Sequence, residues 1–257
     1  MRQIKEPLLL LTKYSYGEAD WICHFLSREE GIVSAKLASG QKMGKASTFG
    51  YQGGELLEVE YLLEEGKDFI KISNHKGLRS FDPEKLDYDS YLGLSFLLEL
   101  THKFGHRGIE PQGLFNLIQN KLSQPWAGEQ VPLILVQCLW EFIELSGIGF
   151  SLSHCDHCHR ENFIKDDEDI KFRKSSYNLR DSEGTLWCQK CSGPGPIDSS
   201  LLKALWMLSE KQPLNAIPKE LWLRWFPWLL NHLLWHHPMD LKSLEVLPKG
   251  LKALRQF

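Results

Sequence analysis

The sequence predicts an α+β protein in which a small barrel of five short strands precedes a helical body carrying an inserted metal-binding element. Three observations lead to this fold. Short apolar runs separated by turns fill residues 1–80, as β-strands do. Apolar residues take helical spacing after residue 81. Four cysteines then form two C-x-x-C pairs. We therefore expect domains at 1–80 and 81–257, with the insertion at about 150–196.

Apolar runs and the alternation of apolar with polar residues indicate where the strands of the first domain lie. In the clearest strand, Leu57, Val59 and Tyr61 alternate with two glutamates, which indicates one buried face. The other strands are expected at 8–11, 21–26, 32–37 and 69–72. Five short strands joined by turns fit a closed barrel of the OB type, a surface that binds single strands of nucleic acid.

The helices of the second domain are placed by periodicity and by their start signals. Apolar residues at helical spacing predict a helix over 88–104. Prolines at 111 and 132 start two more, because proline suits the first helical position. Asp198 is the expected N-cap of a helix that runs to about residue 210. Two further helices are expected near 218–236 and 239–254.

Composition narrows the possible functions. The chain has 257 residues, with 42% hydrophobic and 25% charged residues, as in ordinary globular proteins. Its net charge of −3 creates no global field that attracts nucleic acid, so any DNA contact needs local patches. The sequence has no phosphate-binding G-x-x-x-x-G-K-[ST] loop, so ATP hydrolysis is not expected. Neither a membrane span nor a secretory signal is recognised, so we expect a cytoplasmic protein without a membrane partner.

The cysteine pairs are Cys155 with Cys158 and Cys188 with Cys191. The spacing lets two thiolates of each pair bind one metal ion, and two pairs complete a closed tetrahedral site that suits one structural Zn²⁺. A closed site leaves no position for water or substrate. Two disulfides are the alternative, which the expected reducing compartment disfavours.

An enzymatic alternative uses part of the same segment. The order His159-x-Glu161 before Cys188-x-x-Cys191 resembles zinc-dependent deaminases, in which a histidine and two cysteines bind zinc and the glutamate transfers protons. Two features oppose this reading. Trp187 stands where the deaminase pattern has proline, and the first cysteine pair would have no role.

Local patches could still bind DNA. No acidic residue occurs between Gly31 and Gly54. The candidate contacts are Lys36, Lys42 and Lys45 in that stretch, Lys71, Lys76 and Arg79 near the end of the barrel, and Lys171, Arg173 and Lys174 in the cysteine element. Candidate platforms for stacked bases are Tyr14, Tyr16, Phe49 and Tyr51. Core packing is the alternative role for each aromatic residue, and solvated surface is the alternative for each cation.

Several motifs in one order resemble the RecO family of bacterial recombination mediators. The residues Tyr16-Gly17-Glu18-Ala19-Asp20, then 26–33, then Ala35-Lys36, are similar to the family's Y-G-E-x-D, F-T-x-E-x-G and A-K segments. Residues 56–61 resemble its next barrel strand, and the cysteine pairs match the zinc finger of many members. One departure is that 37–47 keeps lysines but lacks the arginines usual in the family.

The resemblance implies a non-enzymatic role in DNA repair and homologous recombination. Such proteins bind single- and double-stranded DNA, anneal complementary strands and help load RecA onto DNA coated by single-strand-binding protein. They act with RecR, sometimes with RecF, and recognise the C-terminal tail of single-strand-binding protein. The resemblance also implies a cytoplasmic, nucleoid-associated protein. The remaining alternative is a protein-interaction module without DNA affinity, which the net negative charge would suit.

Overall fold

The computed structural model describes residues 2–38, 52–79, 85–128, 130–166, 169–180, 184–212 and 217–247. The chain divides into two compact units. The first comprises Met1–Val131 and Asp240–Pro248, and the second Pro132–Met239 and Lys249–Phe257. The domain division at residue 80 stays a prediction, because compactness alone does not show which segments fold independently.

The first unit contains the predicted five-stranded antiparallel sheet. Its strands are β1 (Arg2–Tyr16), β2 (Asp20–Ser27), β3 (Gly31–Leu37), β4 (Leu56–Leu63) and β5 (Lys71–Arg79). Their order is β3-β2-β1-β4-β5. A parallel bridge between Ala35 and Ile70 joins the two ends of this order, and the N–H of Ile70 donates to the carbonyl of Ser34 at 2.8 Å. The sheet thereby curls towards closure, as an OB-type barrel requires.

Alternating side chains of these strands form the core of the barrel. Leu57, Val59 and Tyr61 are buried as predicted, together with Leu8 and Phe25. A β-bulge between residues 10 and 12 of β1 changes which of the following residues face outwards, since an extra residue reverses the alternation.

Strand β5 is longer than the predicted segment 69–72. It continues to Arg79 and pairs with β4 along this length. None of its residues is fully buried, so the strand lacks the alternating apolar residues by which a sequence pattern is recognised.

The described part of the first unit also contains two α-helices and a short 3-10 helix. Helices α1 (Tyr88–Phe104) and α2 (Pro111–Leu122) have the predicted bounds. The predicted helix over 239–254 is wrong where it is described, because only Lys242–Glu245 is helical there and forms the 3-10 helix. The Glu99 carboxylate accepts the backbone N–H groups of Lys242 at 3.0 Å and Ser243 at 2.7 Å. Residues 248–257 lie outside the described part.

The second unit combines helices with the cysteine element. Its longer helices are α3 (Val131–Leu145), α5 (Ser199–Ser209) and α6 (Lys219–His236), all close to their predicted bounds. Asp198 is the N-cap of α5, since its Oδ1 accepts the N–H groups of Ser200 and Leu201 at 2.9 Å each. Among the described residues, no helix has both the length and the apolar character needed to cross a bilayer.

The cysteine element lies between α3 and α5 and consists of small sheets with one short helix. Its parts are β6 (Phe163–Asp166), β7 (Asp169–Phe172), β8 (Ser176–Arg180), β9 (Thr185–Cys188), α4 (Gln189–Ser192) and β10 (Ile197–Asp198). Strands β6 and β7 form a hairpin, and the other three form a sheet in the order β10-β8-β9. The insertion is therefore a compact β-rich element within a helical unit.

Candidate metal centre and nucleic-acid surface

The four predicted cysteines meet at one point. The Sγ atoms of Cys155, Cys158, Cys188 and Cys191 all lie within 4.8 Å of one another. The Sγ of Cys188 is 3.8 Å from that of Cys158 and 3.7 Å from that of Cys191. A zinc ion with tetrahedral Zn–S bonds of about 2.3 Å places its sulfurs about 3.8 Å apart. The four thiols therefore fit one ion of this kind, and none of the chain's cysteines, all of them described, is in a disulfide.

A tight turn brings the first pair together. The Cys155 carbonyl accepts the N–H of His159 at 2.8 Å, and the Cys155 N–H donates to the carbonyl of Arg160 at 2.9 Å. His159 adopts a left-handed conformation with φ of 57°, a region in which histidine is enriched among non-glycine residues. This conformation lets the chain fold back directly after Cys158.

The second pair is held by the end of β9 and the start of α4. Cys188 pairs with Tyr177 across the β8–β9 ladder. Helix α4 ends at Gly193, which has a φ of 78° and donates its N–H to the Gln189 carbonyl at 2.9 Å. A strand–helix junction thus supplies Cys188 and Cys191 within a single turn.

Hydrogen bonds join the two turns to each other. The N–H of Cys188 donates to the Sγ of Cys155 at 3.2 Å. Asp156 donates its N–H to the Leu186 carbonyl at 2.9 Å and accepts the Leu186 N–H through its carboxylate at 2.5 Å. The four-thiol arrangement is therefore fixed by backbone contacts as well as by any bound ion.

The surroundings of Cys155 and Cys191 shift the pKa values of these two thiols in opposite directions. Burial raises the pKa of Cys155, but N–H groups of Cys188, Cys158 and His157 donate to its sulfur and lower this pKa to about 7. Burial raises the pKa of Cys191, and interactions with the other three thiols raise it further. Four neighbouring thiolates repel one another, so full ionisation requires a cation between them.

The deaminase arrangement does not match this geometry. Both cysteine pairs belong to one cluster, and His159 is outside it. Within the described residues, no other group of three or more histidine, cysteine or carboxylate side chains could hold a metal ion. The side chains that converge are the four thiols, and not His159 with two cysteines as the deaminase pattern requires.

A groove with a volume of about 550 Å³ opens beside the cluster of four thiols. We call it the basic groove, and its lining residues are Arg160, Glu161, Asn162, Arg173, Lys174, Ser175, Tyr177, Cys188, Gln189 and Lys190. Two of the predicted DNA contacts, Arg173 and Lys174, line it. Lys171 lies on β7 and is exposed, but it does not line the groove.

Two further cations in the groove, Arg160 and Lys190, were absent from the sequence prediction. Lys190 stands inside the second C-x-x-C pair, and Arg160 follows the first pair by two residues. Cysteines that converge on one point also bring the residues next to them in sequence close together. The spacing of the two C-x-x-C pairs was therefore the signal that could have identified both cations.

On the barrel, the outer face of β1 to β3 carries exposed aromatic rings. Tyr14 is 48% and Tyr16 50% exposed, so neither is a core residue. Lys36 lies with its Nζ 4.9 Å from the centre of the Tyr16 ring and 3.0 Å from the Asp20 carboxylate. Tyr14 and Lys36 both pair with Ile22 across adjacent ladders, and directly paired residues face the same side of a sheet.

His24 of β2 continues this face, and His102 of α1 and His106 beyond the end of α1 lie next to it. The ring of His24 is 5.6 Å from that of Tyr14 and 4.5 Å from that of His102, which is 5.3 Å from His106. We call this set the barrel strip: Lys36, Tyr16, Tyr14, His24, His102 and His106. Burial, followed by the neighbouring histidines, lowers the pKa of His102 to about 4. Burial also lowers the pKa values of His24 and His106.

The candidate DNA contacts of β5 differ from one another in burial and in their partners. Lys71 pairs with Glu64 at 2.7 Å, and Lys76 is exposed. Arg79 is partly buried, which lowers its pKa, and it donates to the Ser123 hydroxyl at 2.8 Å. These three residues of β5 therefore do not form one uniform cationic cluster. The other predicted positions, Lys42, Lys45, Phe49 and Tyr51, lie outside the described residues.

Comparison with known proteins identifies the family. The family model described as "Recombination protein O C terminal" matches residues 85–245. The chain is 25% identical over 257 residues to the DNA repair protein RecO of a Nocardioides species, covering 95% of this chain and 99% of that protein. It is 29% identical over 164 residues to the DNA repair protein RecO of Heliobacterium modesticaldum, covering 62% of this chain and 56% of that protein. Because the family model matches more than half of the chain, this protein belongs to the RecO family.

Proposed function

We propose that the chain is a recombination mediator that binds single- and double-stranded DNA, anneals complementary strands and, with RecR, helps load RecA onto DNA coated by single-strand-binding protein. Membership of the RecO family implies a role in DNA repair and recombination. The proposed partners RecR, RecF and the tail of single-strand-binding protein rest on this membership.

The observation that carries DNA binding is the barrel strip. Proteins that bind single strands without sequence preference combine cations along the backbone path with aromatic rings on which bases stack. Tyr14 and Tyr16 present half-exposed rings on the outer face of the barrel, beside the cation Lys36. The strip thus places two exposed rings and the cation Lys36 on one face of a sheet.

The four cysteines are proposed to hold one structural Zn²⁺. A bound zinc would supply four bonds that cross-link the two turns of the cysteine element. The protein contributes the thiols, the backbone bonds that orient them and burial of Cys155 and Cys188. Because four protein ligands close the coordination sphere, we propose a structural and not a catalytic role, and the chain is proposed not to be an enzyme.

The test is fluorescence anisotropy of a labelled oligo-dT strand titrated with the full chain at several salt concentrations. The logarithm of the binding constant should fall linearly with the logarithm of the salt concentration. Each phosphate contact with a single strand should contribute about −0.7 to the slope. Equal affinity for mixed-sequence strands should accompany this dependence. Absence of binding at low salt would contradict the proposal and support a protein-interaction module without DNA affinity.

A further inference from the structure

Both metal-binding turns contribute a cation to the basic groove. Arg160 belongs to the first turn, where its carbonyl accepts the N–H of Cys155 at 2.9 Å. Lys190 belongs to the second turn, between the two cysteines of that pair. The separation of these two charges therefore depends on how the turns are held around the thiols.

Three more lining residues come from the connection between β7 and β8. Arg173 donates its Nε–H to the Glu161 carbonyl at 2.9 Å, which holds the guanidinium beside the first turn. Lys174 follows it and is exposed. Ser175 adds a hydroxyl group to the lining. An arginine fixed through one nitrogen and a nearby lysine are suited to bind oxyanions.

The lining of the groove includes one of the four clustered thiols, that of Cys188. Tyr177 is buried and pairs with Cys188 across the ladder, and both residues line the groove. A group bound here would therefore lie against the backbone that orients one of the thiols. The groove and the metal centre share structural elements and are not merely neighbours.

Among the described residues, cations outnumber carboxylates in the lining of the groove. Its lining contains the four cations Arg160, Arg173, Lys174 and Lys190 and the single carboxylate of Glu161. In the described part of the chain, none of the four cations is in a salt bridge with a carboxylate. Four thiolates around a divalent cation would offset only part of this positive charge.

We infer that the basic groove binds backbone phosphates of a nucleic-acid strand and that phosphate occupancy strengthens metal binding by the four cysteines. The inference rests on the proposed DNA-binding function and on the metal-binding role of the cysteines. A bound strand would draw the cations of the two turns together. The same movement would favour the arrangement in which the thiols converge. Metal and strand must then strengthen each other by the same factor, because coupling between two binding equilibria is reciprocal.

A different explanation makes the opposite prediction. If the cations only offset the charge of the thiolates, a polyanion would compete for them and weaken metal binding. Replacing the cations would then weaken metal binding even without nucleic acid. The sign of the effect therefore distinguishes a phosphate site from simple charge compensation.

The experiment measures zinc affinity of the full chain by equilibrium competition with a chromogenic chelator, with and without saturating oligo-dT. Three further proteins are compared: K174Q/K190Q, in which two exposed groove lysines lose their charge, R160Q/R173Q, and the control K203Q/K211Q, which removes two exposed charges outside the groove. Inorganic phosphate replaces oligo-dT in a parallel series, which distinguishes a site for free phosphate from one that needs a strand.

The expected result is zinc binding about fivefold tighter or more when oligo-dT is bound to the wild type and to K203Q/K211Q. The tightening should disappear in R160Q/R173Q and in K174Q/K190Q. The zinc affinity of K174Q/K190Q without oligo-dT should equal that of the wild type. In anisotropy titrations, K174Q/K190Q should lose about 1.4 units of salt slope, corresponding to two phosphate contacts on a single strand.

Other outcomes separate the inference from the proposed function. Oligo-dT that binds the wild type without changing its zinc affinity, or that weakens it, would overturn the inference and leave DNA binding intact. Tightening by inorganic phosphate alone would replace the strand by a free anion as the ligand and overturn the assignment to nucleic acid. A wild type that binds no oligo-dT would overturn both.

Discussion

Gly195 lies so close to the backbone carbonyl of Tyr177 that a Cβ atom at residue 195 would overlap its oxygen. The N–H of Gly195 also donates to the hydroxyl of Ser176 at 3.0 Å. The segment that leaves the metal centre therefore packs directly on β8, the strand that pairs with the end of β9. Glycine is required here by close approach of two backbones.

The substitution Gly195→Ala should destabilise the cysteine element. The added methyl group must push the chain away from β8, and overpacking of this kind costs about 1–3 kcal/mol. Gly149→Ala is the matched control, since a Cβ at residue 149 would have no heavy atom within 4 Å. Urea unfolding should show a lower midpoint for Gly195→Ala alone. Equal midpoints for the two variants would mean that the segment shifts without cost.

Loss of the metal should unfold the cysteine element before the rest of the chain. The element is built from short strands, and metal binding contributes on the order of 10 kcal/mol to folding of small zinc domains. Cys158→Ala should therefore abolish stoichiometric zinc, as measured by elemental analysis, and add a low-temperature transition in calorimetry. A chelator should produce the same transition in the wild type.

The control for this prediction is Cys138→Ala. Cys138 is buried in α3 and lies outside the thiol cluster, so this variant should keep its zinc despite some loss of packing. Unchanged calorimetric melting of Cys158→Ala would show that backbone contacts, such as that between Cys188 and Cys155, suffice to maintain the element.

Local signals predicted much of this structure. Pro111 and Asp198 lie at the helix starts because their backbone and side-chain chemistry favours these positions. The cysteine spacing predicted the thiol cluster because two short turns are sufficient to arrange four ligands. Alternation of Leu57, Val59 and Tyr61 predicted a buried strand face, since each residue's position follows from its neighbours in sequence.

The sequence did not predict features that depend on contacts between residues far apart in the chain. His24 and His102 belong to β2 and α1, and only tertiary packing brings their rings to 4.5 Å. The length of β5 depends on hydrogen bonds to β4, because its own side chains carry no apolar alternation. The 3-10 helix replaces a predicted α-helix where the Glu99 carboxylate accepts two backbone N–H groups, a contact that local periodicity cannot reveal.

The exposed tyrosines of the barrel strip should contribute to binding of single strands. Stacking on an aromatic ring contributes about 1–3 kcal/mol per base, so Tyr14→Ala with Tyr16→Ala should weaken oligo-dT binding by about thirtyfold or more. Loss of rings should leave the salt slope almost unchanged, because the phosphate contacts remain. Both properties are measured in the same anisotropy titrations.

Tyr88→Ala provides the control for ring loss. Tyr88 is 73% exposed at the start of α1 and is not part of the barrel strip, so its replacement should leave affinity unchanged. Equal affinities of the wild type and the Tyr14 and Tyr16 double variant would remove the barrel strip as the stacking surface.

Stability of the first unit should fall as the pH decreases from about 7 towards 4. Burial, followed by His24 and His106, lowers the pKa of His102 from 6.5 to about 4 in the folded chain. Between these values the unfolded chain binds a proton at His102 that the folded chain does not, so acidification favours unfolding. Urea midpoints measured across this range should decline less steeply for His102→Gln than for the wild type. If both proteins gave the same pH dependence, protonation of other groups, and not of the buried histidine, would account for the loss of stability in acid.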